Sequence, residues 1–388
     1  MQIKVNIKVL REGIAQASHT LDTKASSIGS WLHFIAKGTD TLYLYSNNMG
    51  TARTLLKIKA EVVKEGECLI LPKLLQSILV TLPDKDDIEL ALSASGAKLQ
   101  VKYASLKSEI AVAADAPKSS EIFKTIPFNA KPNVFISAAS LVSLIDRLIF
   151  CVASGDNAIS EGPWLSSAYL ETGDNTILGV ATNRIIAGQA EIHDGSSKYG
   201  LSSAIHRDAL LSLSALLAKR DKEEVTITNA SINDSTPTEL LFRFSDVILG
   251  VRLLSTPYPV AVKTLFTKSE TLKSVEVNRE ALIDVMSRLK AFAENKTFSL
   301  TLSGDKATLM TRGYNSVFQE QIPLGKKIDD SITIGLGIVD VSNSISIMAS
   351  EDVVIKYKSD SDHIYLQEGE SNYKYILSPV ALSWKKDK

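Results

Sequence analysis

The chain repeats itself, and that repetition limits what it can fold into more than any other feature. At Lys4, Pro132 and Lys273 a short alternating stretch runs into an amphipathic one: KVNIKVLREGIAQASHTL, PNVFISAASLVSLIDRLIFCVAS and KSVEVNREALIDVMSRLKAFAE. The starts lie about 130 residues apart in a chain of 388. Self-similarity at a fixed period predicts one supersecondary unit used several times.

The order of elements inside each copy is also kept. Strands with period two follow the first helix, in TLYLYSNNMGTARTLLKIKA, NTILGVATNRIIAGQAEIH and ATLMTRGYNSVFQEQIPL; alternation of this kind marks half-buried strands. A second helical run comes next, in LPKLLQSILVTLP, IHRDALLSLSALLAKRD and IVDVSNSISIMAS. An acidic turn then opens a strand pair, DKDDIELALSASGAKLQVKY, DKEEVTITNASINDSTPTELLFRF and ASEDVVIKYKSDSDHIYLQE. Proline-bearing linkers fall around 113 to 132 and 255 to 271, so three domains are expected at 1–128, 129–266 and 267–388.

A unit of two helices and a sheet buries one face of each helix and leaves the other for water or a partner. In the first helix of the third unit Ala281, Leu282, Val285, Met286, Leu289 and Phe292 form the apolar stripe, leaving Arg279, Arg288, Lys290 and Lys296 outside. In the second helix of the second unit the apolar set is Leu210, Leu211, Leu213, Leu216 and Leu217, against Arg207, Lys219, Arg220 and Lys222. Lys+Arg 43 and Asp+Glu 44 nearly cancel, so any nucleic-acid contact comes from the arrangement of charge and not from an excess. A solvated helix face accounts for most single cations, and the segregation matters only if the helices face a common space.

Two cysteines, Cys68 and Cys151, rule out a disulfide framework or a thiolate zinc site and fit a reducing compartment. The N-terminus lacks a signal-peptide stretch and no run of 18 apolar residues occurs, so a cytoplasmic location without membrane attachment is expected.

Three local segments carry a resemblance. TILGVATNRIIAG is similar to a hydrophobic-V-A-T-D-G-H-R-L-A pattern, PYPVAVKTLF to an F-P-D-Y segment, and YILSPVAL, without a gap from Tyr375 to Leu382, to Y-V-V-M-P-M-R-L. With the three repeats, the chain from Met1 to about Leu382 resembles the bacterial β sliding clamp, the processivity factor of DNA polymerase III. The resemblance implies an α+β fold of three DNA-clamp domains, each with two helices on antiparallel sheets. It also implies a head-to-tail homodimer closed into a ring around duplex DNA, with DNA polymerase and the clamp loader as partners and no cofactor. Twelve helices spaced about 8 to 10 Å apart would line a hole roughly 35 Å across. Such a ring holds DNA by topology, and a weak positive lining avoids the friction of tight phosphate contact.

The candidate lining comprises Lys24, Lys73, Arg207, Lys219, Arg220, Arg279, Arg288 and Lys290. The resemblance places Lys24, Lys73 and Arg207 at phosphate-contacting positions; helix-face reasoning alone supplies the others. Carried over by position, a pocket for a linear partner peptide would be lined by Leu165, Thr182, Ile186, Pro259, Leu265, Ile376, Pro379, Val380 and Leu382, with Arg184 and Ser378 at its rim. Aliphatic residues and prolines suit a partner's Leu or Phe. The sequence departs from the family at Asn183-Arg184, where one residue and the histidine are missing. It departs again in the tail SWKKDK, whose Trp384 would cover or extend the pocket. For ring closure Phe292 is the candidate plug, with Leu106 and Ile110 on the receiving edge.

Catalytic patterns are missing from the sequence. His19, His33, His193, His206 and His363 are scattered, with no HExxH and no G-x-S-x-G elbow. Gly335-Leu336-Gly337 lacks the third glycine of a dinucleotide fingerprint, and Asp360, Asp362 and His363 read as a polar hairpin turn, as Asp84, Asp86 and Asp87 read as a solvated turn after a helix. A non-catalytic scaffold that never encircles DNA is the alternative reading. A hydrolase whose acidic residues converge only in space is a remoter one.

Overall fold

A computed structural model describes residues 1–22, 27–113, 118–128, 130–155, 162–194, 196–197, 200–230, 238–267, 272–313, 315–369, 371 and 373–382. In the first repeat β1 (Gln2–Asn6) runs directly into α1 (Ile7–Ala17), where Ile7, Leu10, Ile14 and Ala17 are buried at three- and four-residue steps. The Asn6 side chain accepts the Val9 N–H at 3.2 Å and so caps the helix. Strands β2 (Leu32–Lys37), β3 (Thr41–Asn47), β4 (Ala52–Lys59), β5 (Glu61–Lys64) and β6 (Gly66–Ile70) follow. Then come α2 (Pro72–Val80), started by a proline whose missing N–H costs nothing at that position, and β7 (Asp87–Leu92), β8 (Lys98–Tyr103) and β9 (Leu106–Ala111).

After a linker helix, α3 (Ser119–Lys124), the second repeat supplies β10 (Val134–Ser137), α4 (Ala138–Leu148), β11 (Ser167–Thr172), β12 (Ile177–Thr182), β13 (Ile186–Ile192), β14 (Ser196–Ser197) and β15 (Ser202–His206). It ends with α5 (Arg207–Leu217), β16 (Glu224–Ala230), β17 (Glu239–Phe244) and β18 (Val247–Arg252). A second linker helix, α6 (Val260–Thr264), leads to β19 (Lys273–Asn278), α7 (Arg279–Phe292), β20 (Thr297–Arg312), β21 (Val317–Gly337), α8 (Ile338–Ile347), β22 (Asp352–Tyr357), β23 (Ile364–Glu368) and β24 (Lys374–Leu377). Helix α7 repeats the cap of α1: Asn278 accepts the Ala281 N–H at 3.0 Å.

Two compact units emerge, and they do not follow the repeat boundaries. One holds Met1–Val142, Asp194–Leu201 and Asp208–Ser255; the other holds Ser143–His193, Ser202–Arg207 and Thr256–Lys388. The division passes through the middle repeat because the last strand of each later repeat continues the sheet of the repeat before it. In the first unit the sheets run β5-β1-β7-β8-β9 and β14-β10-β16-β17-β18-β4-β3-β2-β6, and in the second β15-β11-β12-β13-β24-β23-β22-β19-β21-β20. All pairings are antiparallel.

Both proline-bearing linkers carry a short helix. Ile122 and Ile126 pack with Ile35, Tyr45 and Leu55, and Phe123 meets Tyr43 edge-on at 5.2 Å. These apolar contacts hold α3 in place, since six residues are too few to be helical on their own. Two of the expected apolar stripes need correction. Leu211 is 40% exposed and Phe292 43% exposed. Leu211 points away from the sheet covered by Leu210, Leu213, Leu216 and Leu217, and Phe292, the last residue of α7, stacks on Phe318 at 5.3 Å instead of entering the core.

Candidate functional site

In the second unit several of the candidate pocket residues lie at or beside one strand pairing. Ile186 lies opposite Leu377 and Ala187 opposite Ile376, so β24 of the third repeat extends the sheet of the second. The turn before β13 is short and well bonded. The Asn183 carboxamide oxygen accepts the Ile185 and Ile186 N–H groups, both at 2.9 Å. Thr182 accepts the Arg184 N–H at 3.0 Å and donates to the Ile186 carbonyl at 2.9 Å. Arg184 itself is exposed and adopts φ +75°, a conformation that the Asn183 bonds impose.

The C-terminal segment closes against this turn. The Ser378 N–H donates to the Ile185 carbonyl at 2.8 Å and its hydroxyl to the Arg184 carbonyl at 3.3 Å. The Val380 N–H donates to the Gly335 carbonyl at 2.9 Å, and Leu382 sits over the same glycine. Tyr365, opposite Ile376 on β23, donates its hydroxyl to the Leu265 carbonyl at 3.4 Å. Thr182, Arg184, Ile186, Leu265, Ile376, Ser378, Val380 and Leu382 are thus joined by direct bonds, strand pairing or a shared neighbour.

Burial separates lining from support. Leu165, Thr182, Ile186, Ile376 and Leu382 are buried, whereas Pro259, Leu265, Ser378, Pro379 and Val380 are half-buried and able to meet a ligand. Sequence reasoning missed two exposed apolar neighbours, Ile185 at 51% and Val260 at 70%. Ile185 had a signal: two consecutive isoleucines at the start of a strand cannot both face inward. An aromatic group was missed too. Tyr258 stacks on Tyr169 at 5.4 Å and meets Trp164 edge-on at 5.8 Å, while Lys263 donates to the Tyr169 hydroxyl at 2.7 Å and to Glu171 at 2.6 Å.

The candidate cations do not share one environment. Lys24 lies outside the described residues, as does the tail with Trp384. Lys73, Lys219 and Lys290 are exposed. Arg207 is half-buried, with its Nε enclosed and without a hydrogen-bond partner among the described residues. Arg220 is engaged by Glu223 at 3.1 Å, Asp246 at 3.4 Å and Gln16 at 3.0 Å. Arg279 donates to the Ser350 carbonyl at 3.0 Å. Arg288 forks onto Glu320 at 3.0 and 2.6 Å, and these hydrogen bonds hold the Glu320 carboxyl below its usual range. The exposed lysines therefore offer the least encumbered charge.

Two sheet edges bear on the interface candidates. Strand β9 ends its sheet, and between it and α2 lies a cavity of about 460 Å³ lined by Leu74, Ile78, Leu82, Leu106 and Ile110 among others. Strand β21 meets β19 only at Val277 opposite Leu324, so its outer edge over Val317–Pro323 has no strand partner among the described residues. Phe292 and Phe318 stack beside that edge.

Burial pushes the Cys68 thiol up to about 12 and Cys151 well above its ordinary value, so neither is a ready nucleophile. No group of three His, Cys, Asp or Glu is placed to hold a metal ion among the described residues, and no described helix is long and apolar enough to cross a membrane.

Comparison with known proteins gives a fold. No family model matches the sequence, and no curated relative does. Solved structures match over nearly the whole length. A DNA polymerase III β subunit from Eubacterium rectale aligns with TM-score 0.85 and 19% identity, covering 98% of this chain and 100% of that one. The DNA polymerase sliding clamp of Pseudomonas aeruginosa aligns with TM-score 0.84, 18% identity and coverage of 98% and 100%. That of Bacillus subtilis aligns with TM-score 0.85, 13% identity and coverage of 98% and 99%. The chain has the three-domain sliding-clamp fold, with a sequence only 13–19% identical to these structures.

Proposed function

We propose that the chain is a DNA sliding clamp, in which two copies close head to tail around a duplex and tether DNA polymerase and other partners through peptides. The observation that carries this reading is the repeated junction. In the first unit β4 pairs with β18, and in the second β13 pairs with β24. These are equivalent strands in equivalent register. Leu56 stands opposite Leu44, Ala190 opposite Gly179 and Glu320 opposite Leu309, so Leu56, Ala190 and Glu320 hold corresponding places in the three repeats.

A third junction of the same kind has no partner within one chain. It would join the free edge of β21 to the free edge of β9 in a second copy. Val247 lies opposite Leu56, and Leu106 corresponds to Val247 because each starts the last strand of its hairpin, opposite Phe244 in one repeat and Tyr103 in the other. The expected pairing is therefore Leu106 against Glu320 and Ser108 against Phe318, with Phe292 directed at the cavity beside α2. Edge strands left open in this way invite pairing with another chain, and a head-to-tail contact repeated by rotation closes a ring.

On this reading the exposed Lys73, Lys219 and Lys290 supply the weak positive lining. The half-buried Pro259, Leu265, Pro379 and Val380, with Ile185 and Val260 beside them, receive a partner's apolar side chains. On this reading the chain works by enclosure and tethering and not by covalent chemistry. The chain is expected to stay on nicked circular DNA and to run off when the circle is cut; equal loss from both substrates would reject enclosure and favour a scaffold that binds the surface. The native mass should be about twice 42.1 kDa.

A further inference from the structure

The turn that builds the candidate pocket at the second junction occurs again at the first. Asn48 corresponds to Asn183, and its carboxamide oxygen accepts the Gly50, Thr51 and Ala52 N–H groups at 3.1, 2.8 and 3.1 Å. The next residue, Met49, has φ +61°, as Arg184 has φ +75° after Asn183. Each turn leads into the strand that accepts the next repeat, and a short linker helix, α3 or α6, accompanies each. A closely similar backbone device, one residue longer at the first junction, is thus made twice in one chain.

What fills it differs. At the first junction a cavity of about 300 Å³ opens over the Arg53–Glu239 pair. Its floor is rigid: the Arg53 guanidinium forks onto Glu239 at 2.8 and 2.6 Å and also donates to the Thr125 hydroxyl at 2.5 Å and the Thr125 carbonyl at 2.9 Å. Gly250 lies opposite Arg53, and a Cβ there would stand 2.4 Å from a Glu239 oxygen, so the carboxylate needs a glycine to reach its partner. Arg53 and Glu239 neutralise one another. The wall keeps one further cation, the exposed Arg252, and one exposed apolar side chain, Met49, 60% accessible.

We propose that the first junction is a second docking site, which takes a linear partner segment pairing an apolar side chain with a carboxylate. The analogy rests on the pocket proposed at the second junction, but the cavity, the charge and the exposed thioether are properties of the first junction itself. An unbranched thioether adapts to apolar groups of varied shape, and an arginine fork matches a carboxylate in plane and spacing. A cavity of this size is at the lower end for ligand sites and holds one or two side chains. A nucleic-acid strand fits poorly, since one unpaired cation beside a carboxylate gives no track of phosphate contacts.

The test uses the full chain and a fluorescein-labelled hexapeptide, Gly-Ala-Leu-Asp-Ala-Gly amide, with binding stoichiometry read by titration calorimetry and affinity by anisotropy. Two sites per chain are expected. Arg252→Glu should abolish one of them, Met49→Asp should do the same, and replacing the peptide's Asp by Asn should weaken that site about tenfold. Both substituted side chains are exposed, so an unchanged melting curve is the control for folding. A single site that survives Arg252→Glu and Met49→Asp but is lost in Leu382→Ala would overturn this inference and leave the second-junction pocket standing. A single site lost only in Arg252→Glu would keep the inference and reject that pocket. Absence of binding by the unaltered chain would overturn both.

Discussion

The two junctions within the chain share a backbone and differ in what surrounds it. At the first, β4 and β18 pair from Ala52 to Leu56, and a two-pronged Arg53–Glu239 bridge with help from Thr125 braces them. At the second, β13 and β24 pair from Ile186 to Gln189, and the brace is more enclosed. Arg147 donates to Glu368 at 2.7 Å, lies over the Tyr373 ring at 3.5 Å, and its carbonyl accepts the Tyr375 hydroxyl at 3.1 Å; the Glu368 carboxylate also accepts the Ala349 N–H. The strand pairing sets how one repeat meets the next, since backbone hydrogen bonds need no particular side chain. Side chains are then free to differ, so one junction presents Met49 and Arg252 and the other presents prolines and aliphatic residues.

The comparison is most sharply tested through the ion pairs. Glu368→Ala should destabilise the second unit by about 3–5 kcal/mol, because it strands an enclosed guanidinium, and the double change Arg147→Met with Glu368→Leu should recover most of that loss in urea unfolding. Glu239→Ala should cost less, about 1.5–3 kcal/mol, because Arg53 keeps both Thr125 oxygens as acceptors. If the two single changes cost the same, the contrast between the junctions is wrong.

Gly335→Ala comes next. Its Cβ would stand 2.2 Å from the Val380 carbonyl oxygen and 2.9 Å from Leu382. Displacing that segment should cost about 1–3 kcal/mol and weaken peptide binding at the second junction while leaving the first unchanged. Equal loss at both would show that the sites are not independent. Phe292→Ala should reduce stability by no more than about 1 kcal/mol, since only the stacked Phe318 and partial burial are lost. On the ring reading it should nevertheless halve the native mass, and a dimer of unaltered strength would remove Phe292 from the interface.

A further effect concerns pH and belongs to the first repeat. Burial lowers the His33 pKa below 6.5, although Glu67 at 3.4 Å opposes this. That approach lacks hydrogen-bond geometry, and both ring nitrogens are enclosed and unbonded among the described residues. The unfolded chain therefore binds the proton more readily. The stabilisation is complete above pH 6.5 and declines as pH falls, by at most about 1.4 kcal/mol per unit. Glu67 also accepts the Ser119 N–H at 2.8 Å, which anchors the start of α3. Denaturation midpoints between pH 7.5 and 5.5 should flatten in His33→Leu, and an unchanged slope would exclude His33 as the titrating group.

Much of the architecture could be read from local pattern. Period two and period three-to-four stretches located the six main helices and their flanking strands, because each side chain's face follows from its place in the element. The asparagine caps at Asn6 and Asn278 are local signals of the same kind. The peptide-site candidates Thr182, Arg184, Ile186 and Ser378 came through resemblance; the bonds among the first three are local, whereas the one from Ser378 to Arg184 crosses 194 positions. The Tyr258 cluster escaped because its rings meet only in the folded chain, and Val260, like Ile185 despite the signal of its isoleucine doublet, escaped because exposure of an apolar residue depends on what does or does not come to cover it. Leu211 and Phe292 were misassigned to buried stripes for the same reason.

By itself the sequence determined that one unit recurs three times, which face of each helix is apolar, and that charge is nearly balanced. Only the tertiary structure decided that β18 and β24 extend the preceding repeat's sheet, that Arg53 meets Glu239 across 186 positions and Arg147 meets Glu368 across 221, and that linker residues around Ile122 and Val262 become helical. The physical reason is range. Periodicity arises from geometry repeated over a few residues, whereas pairing between distant strands is chosen by the whole set of contacts that the folded chain makes at once.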